Sequence, residues 1–154
     1  MEEFLKSDLE HRLSVLKRQE GMAWYVPNQM QLRAHQCTAR TILYVGGNRS
    51  GKSTWGAMEL SFHLTRQYPD WFPIARRFTH PIRAVVVCTE FPIVERVIEP
   101  KLMAYLPHAY VKSRRRTPQR YLSRLECHDG STVDFLTNEM DDMAFESADW
   151  DVYW

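Results

Sequence analysis

The chain has 154 residues, 44% of them hydrophobic, with 20 basic against 19 acidic side chains and a formal net charge of +1. That length leaves room for one domain with a sizeable core and excludes a second catalytic domain beside it. The near-neutral balance excludes a global field for nucleic acid, so any basic partner surface must be local. Cys37, Cys88 and Cys127 are odd in number and widely spaced, which argues against a disulfide framework and against a Cys-rich metal site. The first residues, Met1 to Lys6, are charged and amphipathic rather than a signal peptide, and no apolar run approaches the ~20 residues of a membrane span. The expectation is a cytoplasmic protein without a membrane segment.

Glu2 to Glu20 sets Phe4, Leu5, Leu9, Leu13 and Leu16 at helical spacing among charges, and Gly21 stands where a helix stops. Residues 1–23 therefore read as an amphipathic N-terminal helix that docks on the core or on a partner, and 24–154 as one α/β domain. Trp24 to Gln31 is a proline-punctuated link into a helix spanning Gln31 to Ala39. An amide in this position, Gln31 or Gln29, has the donor and acceptor that pair with an adenine edge; a turn-capping role is the plain alternative.

Thr41 to Val45 is a short β-branched and aromatic run of the kind that forms a buried parallel strand. It leads into Gly46-Gly47-Asn48-Arg49-Ser50-Gly51-Lys52-Ser53-Thr54, which fits the phosphate-loop pattern G-x-x-x-x-G-K-[ST] without a mismatch. Gly46 and Gly51 let the backbone turn so that successive N–H groups wrap a triphosphate, while Lys52 reaches its outer phosphates and Ser53 offers a hydroxyl to Mg²⁺. The helix expected from Lys52 to Gln67 presents its positive end to that anion, with Trp55, Met58 and Phe62 apolar and Glu59 or His63 marking a polar face.

Tyr68 to Arg83 reads as a proline-interrupted surface segment. Arg83 to Thr89 is a second fully buried strand, followed by a helix opened by Phe91-Pro92 and kinked at Pro100. Lys112 to Arg120 is the one basic run; Arg114, Arg115, Arg116 and Arg120 are candidates for DNA phosphate contact, a solvated loop being the plain reading. Tyr121 to His128 alternates with Tyr121, Leu125 and Cys127 on one face, Asp129-Gly130 signals a hairpin turn, and Val133 and Phe135 alternate on the return. Asn138 to Ser147 is acidic and short-helical, and Asp151 to Trp154 begins another strand. The expected architecture is an open parallel sheet of phosphate-loop NTPase type with flanking helices and an inserted antiparallel hairpin, incomplete at its C-terminal side.

This order of pieces resembles the N-terminal ATPase domain of the large subunit of tailed-phage terminases, the motors that package DNA into capsids. The resemblance rests on Gln31, the Gly46 to Ser53 loop, the strand Ala84 to Thr89, the hairpin around Asp129-Gly130-Ser131 and the terminal Asp149 to Trp154, and it covers nearly all of the chain after about residue 24. It implies that Lys52 and Ser53 hold ATP phosphate and Mg²⁺, that Gln31 contacts adenine, and that Arg49 senses or stabilises the γ-phosphate, with Asn48 where many members place that arginine. It further implies double-stranded DNA, a portal protein and a small terminase subunit as partners, a homo-oligomeric ring, and the host cytoplasm as location. The family's acidic pair, coupling motif and nuclease domain are not among these residues, so the expectation is ATP binding without turnover. Two other classes remain. A small-molecule kinase would begin almost directly with the loop strand, and a non-hydrolysing nucleotide-binding module would need only the loop.

Overall fold

The computed structural model describes residue 6 and residues 9–13, 21–140 and 149–154. Of the expected N-terminal helix, residue 6 and residues 9–13 are helical, with Leu9 and Leu13 exposed, and Gly21–Trp24 forms a short 3-10 turn; residues 1–5, 7–8 and 14–20 lie outside the described residues. The acidic stretch from 141 to 148 lies outside them as well.

Among the described residues five strands form one mixed sheet: β1 (Arg83–Cys88), β2 (Val111–Arg116), β3 (Leu122–Cys127), β4 (Thr132–Thr137) and β5 (Val152–Tyr153), in the spatial order β2-β3-β4-β1-β5. β1 lies parallel to β4, with Ala84 opposite Val133 and Val86 opposite Phe135, and parallel to β5, while β2-β3 and β3-β4 are antiparallel. The expected hairpin is present, with Gly130 at φ +93° in its connection, a left-handed conformation that glycine adopts without a steric penalty. It is not an insertion, however. β4 joins the parallel strand directly and makes the hairpin part of the central sheet, because its buried face (Val133, Phe135, Thr137) continues that of β1.

The helices are α1 (Gln29–Gln36), α2 (Lys52–Thr65), α3 (Phe91–Ile93) and α4 (Glu99–Tyr105), the last two joined by a π turn, Val94–Ile98. α1 starts two residues earlier than expected because Asn28 caps it: its Oδ1 accepts from Gln31 N–H, and Gln31 Oε1 accepts from Asn28 N–H, a reciprocal capping box. α2 is buried from Gly56 to Thr65, a helix apolar enough around its circumference to lie in the centre. Leu60 and Leu64 meet Ala84, Val86, Leu102 and Phe135 in the main core, while Met58, Phe62 and Phe72 form a second cluster with Tyr25, Trp71 and Tyr105.

Two expectations are corrected. Thr41 to Val45 forms no strand; Leu43 and Val45 are 86% and 76% exposed. An apolar run becomes a parallel strand only when a sheet edge meets its backbone, and a groove of about 800 Å³ separates Thr38–Ile42 from Trp150–Trp154, the segment bearing β5. Most of the basic run is not a loop: Lys112 to Arg116 lie in β2, the edge strand of the sheet, held to β3 with register shifts on either side of Ser113–Arg115, and Thr117 to Arg120 form the turn that follows. Among the described residues no helix is long and apolar enough to cross a membrane.

Candidate functional site

The residues of the phosphate-loop pattern lie together at the N-terminal end of α2. Gly46 to Arg49 are exposed, Arg49 has φ +63° and Gly51 has φ +87°, so the chain passes twice through left-handed conformations before Lys52 opens the helix. At Gly51 a side chain is excluded for a second reason, since a Cβ would come within 2.5 Å of Gln31 Nε2. Trp55 N–H donates to Gly51 C=O at 2.8 Å, which fixes Gly51 as the N-cap and leaves the N–H groups of the first turn directed out of the helix end. The Lys52 ammonium folds back over the loop and donates to Gly46 and Gly47 carbonyls (2.8 Å to Gly47) and to Ser50 Oγ at 3.3 Å.

Gln31 is brought to this loop, but its amide is engaged at both ends. Nε2 donates to Gly51 C=O at 3.0 Å while Oε1 closes the capping box, and the residue is buried. Its visible part in this structure is as a prop for the loop. Gln29, the other amide weighed from sequence, lines a shallow cleft of about 400 Å³ with Asn28, Met30, Tyr44 and Ser50. Tyr44 stacks on Trp55 at 5.5 Å, joining the approach segment to α2. Thr54 accepts from Lys101 of α4 at 3.3 Å.

Ser53 is partly exposed and its hydroxyl makes no hydrogen bond to another described residue, so the hydroxyl is available to a ligand. Among the described residues no group of three or more His, Cys, Asp or Glu is placed to hold a metal. A Mg²⁺ held by one hydroxyl, phosphate oxygens and water fits such a site, since this ion needs few protein ligands. The terminal acid Asp151 stands at the start of β5, where Oδ2 accepts from Arg83 N–H at 2.8 Å. Asp149 is exposed.

The largest feature that sequence reading missed is a buried ionic cluster on α2. Glu59 and His63, expected on a polar helix face, are both buried. Glu59 pairs with Arg76 and with His35 Nδ1, and His63 Nε2 stands 3.6 Å from it. His35 Nε2 meets Tyr25 Oη at 3.0 Å, and Arg76 donates to the His35 and Cys37 carbonyls at 3.0 Å each. Burial acts to raise the Glu59 pKa, but hydrogen bonds from His35 and His63 and the charge of Arg76 outweigh it and bring the group from 4.5 to about 2. The only sequence signal was a Glu and a His at i and i+4 on a helix otherwise apolar.

The basic run is distant from the loop in kind as well as in sequence. Arg116 forms a two-pronged pair with Glu99, Arg114 approaches the same carboxylate at 3.9 Å, and Arg115 lies 3.1 Å from Glu126 with its side chain 70% exposed. Arg120 has φ +72° in the turn that follows, and its carbonyl accepts from Arg116.

No family model, no curated protein and no solved structure matches this chain.

Proposed function

We propose that this chain is the ATP-binding part of a viral DNA-packaging motor subunit of the terminase large-subunit type, working with Mg²⁺ on double-stranded DNA in the host cytoplasm. In the complete motor its partners are a portal protein, a small terminase subunit and further copies of itself in a ring. The observation that carries the reading is the Gly46 to Thr54 loop: a complete phosphate-loop pattern whose left-handed Arg49 and Gly51 deliver Lys52 and Ser53 to the first turn of a long buried helix. The loop backbone and Lys52 take the phosphates, Ser53 the Mg²⁺, and exposed Arg49 reaches toward the γ-phosphate. Mg²⁺, if held at Ser53, would supply positive charge to offset that of the phosphates.

A second reading, a nucleotide-binding module that does not hydrolyse, is favoured by the carboxylates. Asp151 is bound to backbone at the start of its strand, and Glu59 is neutralised by Arg76. Both readings require the loop to bind ATP. Lys52→Ala should remove most affinity for a fluorescent ATP analogue, and equal binding by wild type and variant would end the phosphate-loop assignment.

A further inference from the structure

Building on the nucleotide reading of the loop, we propose that Lys101 is a second phosphate-contacting amine of the site, meeting the polyphosphate from the side of α2 away from Lys52. Lys101 belongs to α4 and sends its ammonium to Thr54 Oγ1, in the first turn of α2, at 3.3 Å. Thr54 follows Lys52 by two positions, so its side chain leaves the helix about 200° round from that of Lys52. The two amines therefore flank one helix end.

The electrostatics of this placement call for an anion. A helix N-terminus carries partial positive charge, which repels a cation and attracts an anion. The first turn of α2 contains no acid, and among the described residues Lys101 has no carboxylate within ion-pair distance. Glu99, the acid on its own helix, is turned to Arg116 and Arg114 instead. Lys52 and Lys101 thus stand on two sides of one positive helix end, with no acid paired to either among the described residues, a cost relieved when a polyphosphate binds there.

The chain also shows how Lys101 is aimed. Between α3 and α4, Glu99 N–H bonds to Val94 C=O, the i to i−5 pattern of the π turn. Each residue of an α-helix adds about 100° of rotation, so one extra residue in the turn swings everything after it by that amount. In an uninterrupted α-helix Lys101 would leave on a different side. Pro100 has no N–H to give, so the ladder is already interrupted where the π turn sits, and such turns recur at functional sites.

The competing account is a plain hydrogen bond between packed helices. The two separate in a binding assay with a fluorescent ATP analogue and with inorganic tripolyphosphate as competitor, on wild type, Lys52→Ala, Lys101→Met and Lys101→Arg, with melting temperatures measured alongside. Lys101→Met should weaken both ligands roughly tenfold, the size of one charge-assisted contact, with an unchanged melting temperature. Lys101→Arg should restore most of the loss. If Lys101→Met binds as wild type while Lys52→Ala is weakened, the proposal falls and the loop reading stands. If Lys52→Ala binds as wild type, the loop reading itself fails. A loss of binding in Lys101→Met that comes with a lowered melting temperature and is not restored by Lys101→Arg would assign Lys101 to helix packing and overturn the proposal. Lys101→Gln, in the same assay, decides the matter should the methionine variant not fold.

Discussion

Glu59 is the residue on which most of the buried polar chemistry converges. Its carboxylate holds Arg76 and His35, and Arg76 in turn holds the carbonyls of His35 and Cys37 at the point where α1 gives way to the segment entering the loop. Removing one partner of such a buried pair leaves the other charge uncompensated, a loss of roughly 3–5 kcal/mol. Glu59→Gln should show a loss of that order in chemical denaturation at neutral pH, and a variant as stable as wild type would remove the cluster from the list of stabilising features. The pH dependence has a definite sign. Because the folded-state pKa is depressed from 4.5 to about 2, the contribution is present above 4.5 and is lost as pH falls through that interval. Wild type should lose stability there more steeply than Glu59→Gln.

At the scale of elements, two contacts decide how the sheet is closed at its ends. β5 is only two residues long, and its anchorage continues through Trp154, whose N–H and C=O pair with Val85 C=O and Val87 N–H at 2.9 and 2.7 Å. The indole of Trp154 rests on Gly56 of α2, where a Cβ would meet ring atoms at 2.1–2.4 Å. Gly56→Ala should displace Trp154, cost about 1–3 kcal/mol as overpacking does, and accelerate hydrogen exchange of the Val87 amide; unchanged exchange would show that the ring moves aside freely. At the other edge, β2 carries arginines already paired with Glu99 and Glu126. Binding of DNA duplexes should be weak and insensitive to sequence, and replacing Arg114, Arg115 and Arg116 together by Ala should lower the salt slope by up to ~3. Exposed Arg115 should account for more of that change than Arg116. An unchanged slope in the triple variant would return this strand to a purely structural role.

For the whole molecule the question is whether binding is coupled to turnover. Phosphoryl transfer needs a residue that orients water beside the Mg²⁺. Asp151 is held by backbone and Glu59 by Arg76, so neither is free for the task. The 154-residue chain should therefore show phosphate release far below the roughly 1–10³ s⁻¹ usual for enzymes. A rate in that range would overturn this expectation, and Glu90, exposed just beyond the C-terminal end of β1, would then be the first carboxylate to replace.

Some of this structure is local and was legible in the order of residues. The phosphate-loop pattern specified the turn at Gly51 and the helix start at Lys52, which a few consecutive residues encode by themselves, whereas the second left-handed position falls at Arg49 and not at Gly46. The alternation of Val133 and Phe135 marked a half-buried strand, and the run Ala84 to Val87 marked a central one, because side-chain period and burial are properties of a single strand. Other features depend on what arrives from elsewhere in the chain. Thr41 to Val45 has the composition of a strand yet lies unpaired, because pairing requires a neighbouring edge that composition cannot supply. Gln31 is drawn to Gly51 and Glu59 is turned inward to Arg76, because a polar group takes the partners that packing brings to it. The sequence by itself determined the Gly51 and Gly130 turns, the side-chain periodicities and the start of α2, which are decided within a few residues; the tertiary structure alone decided strand partners, the edge position of β2 and the meeting of Lys101 with Thr54, since each joins groups far apart along the chain.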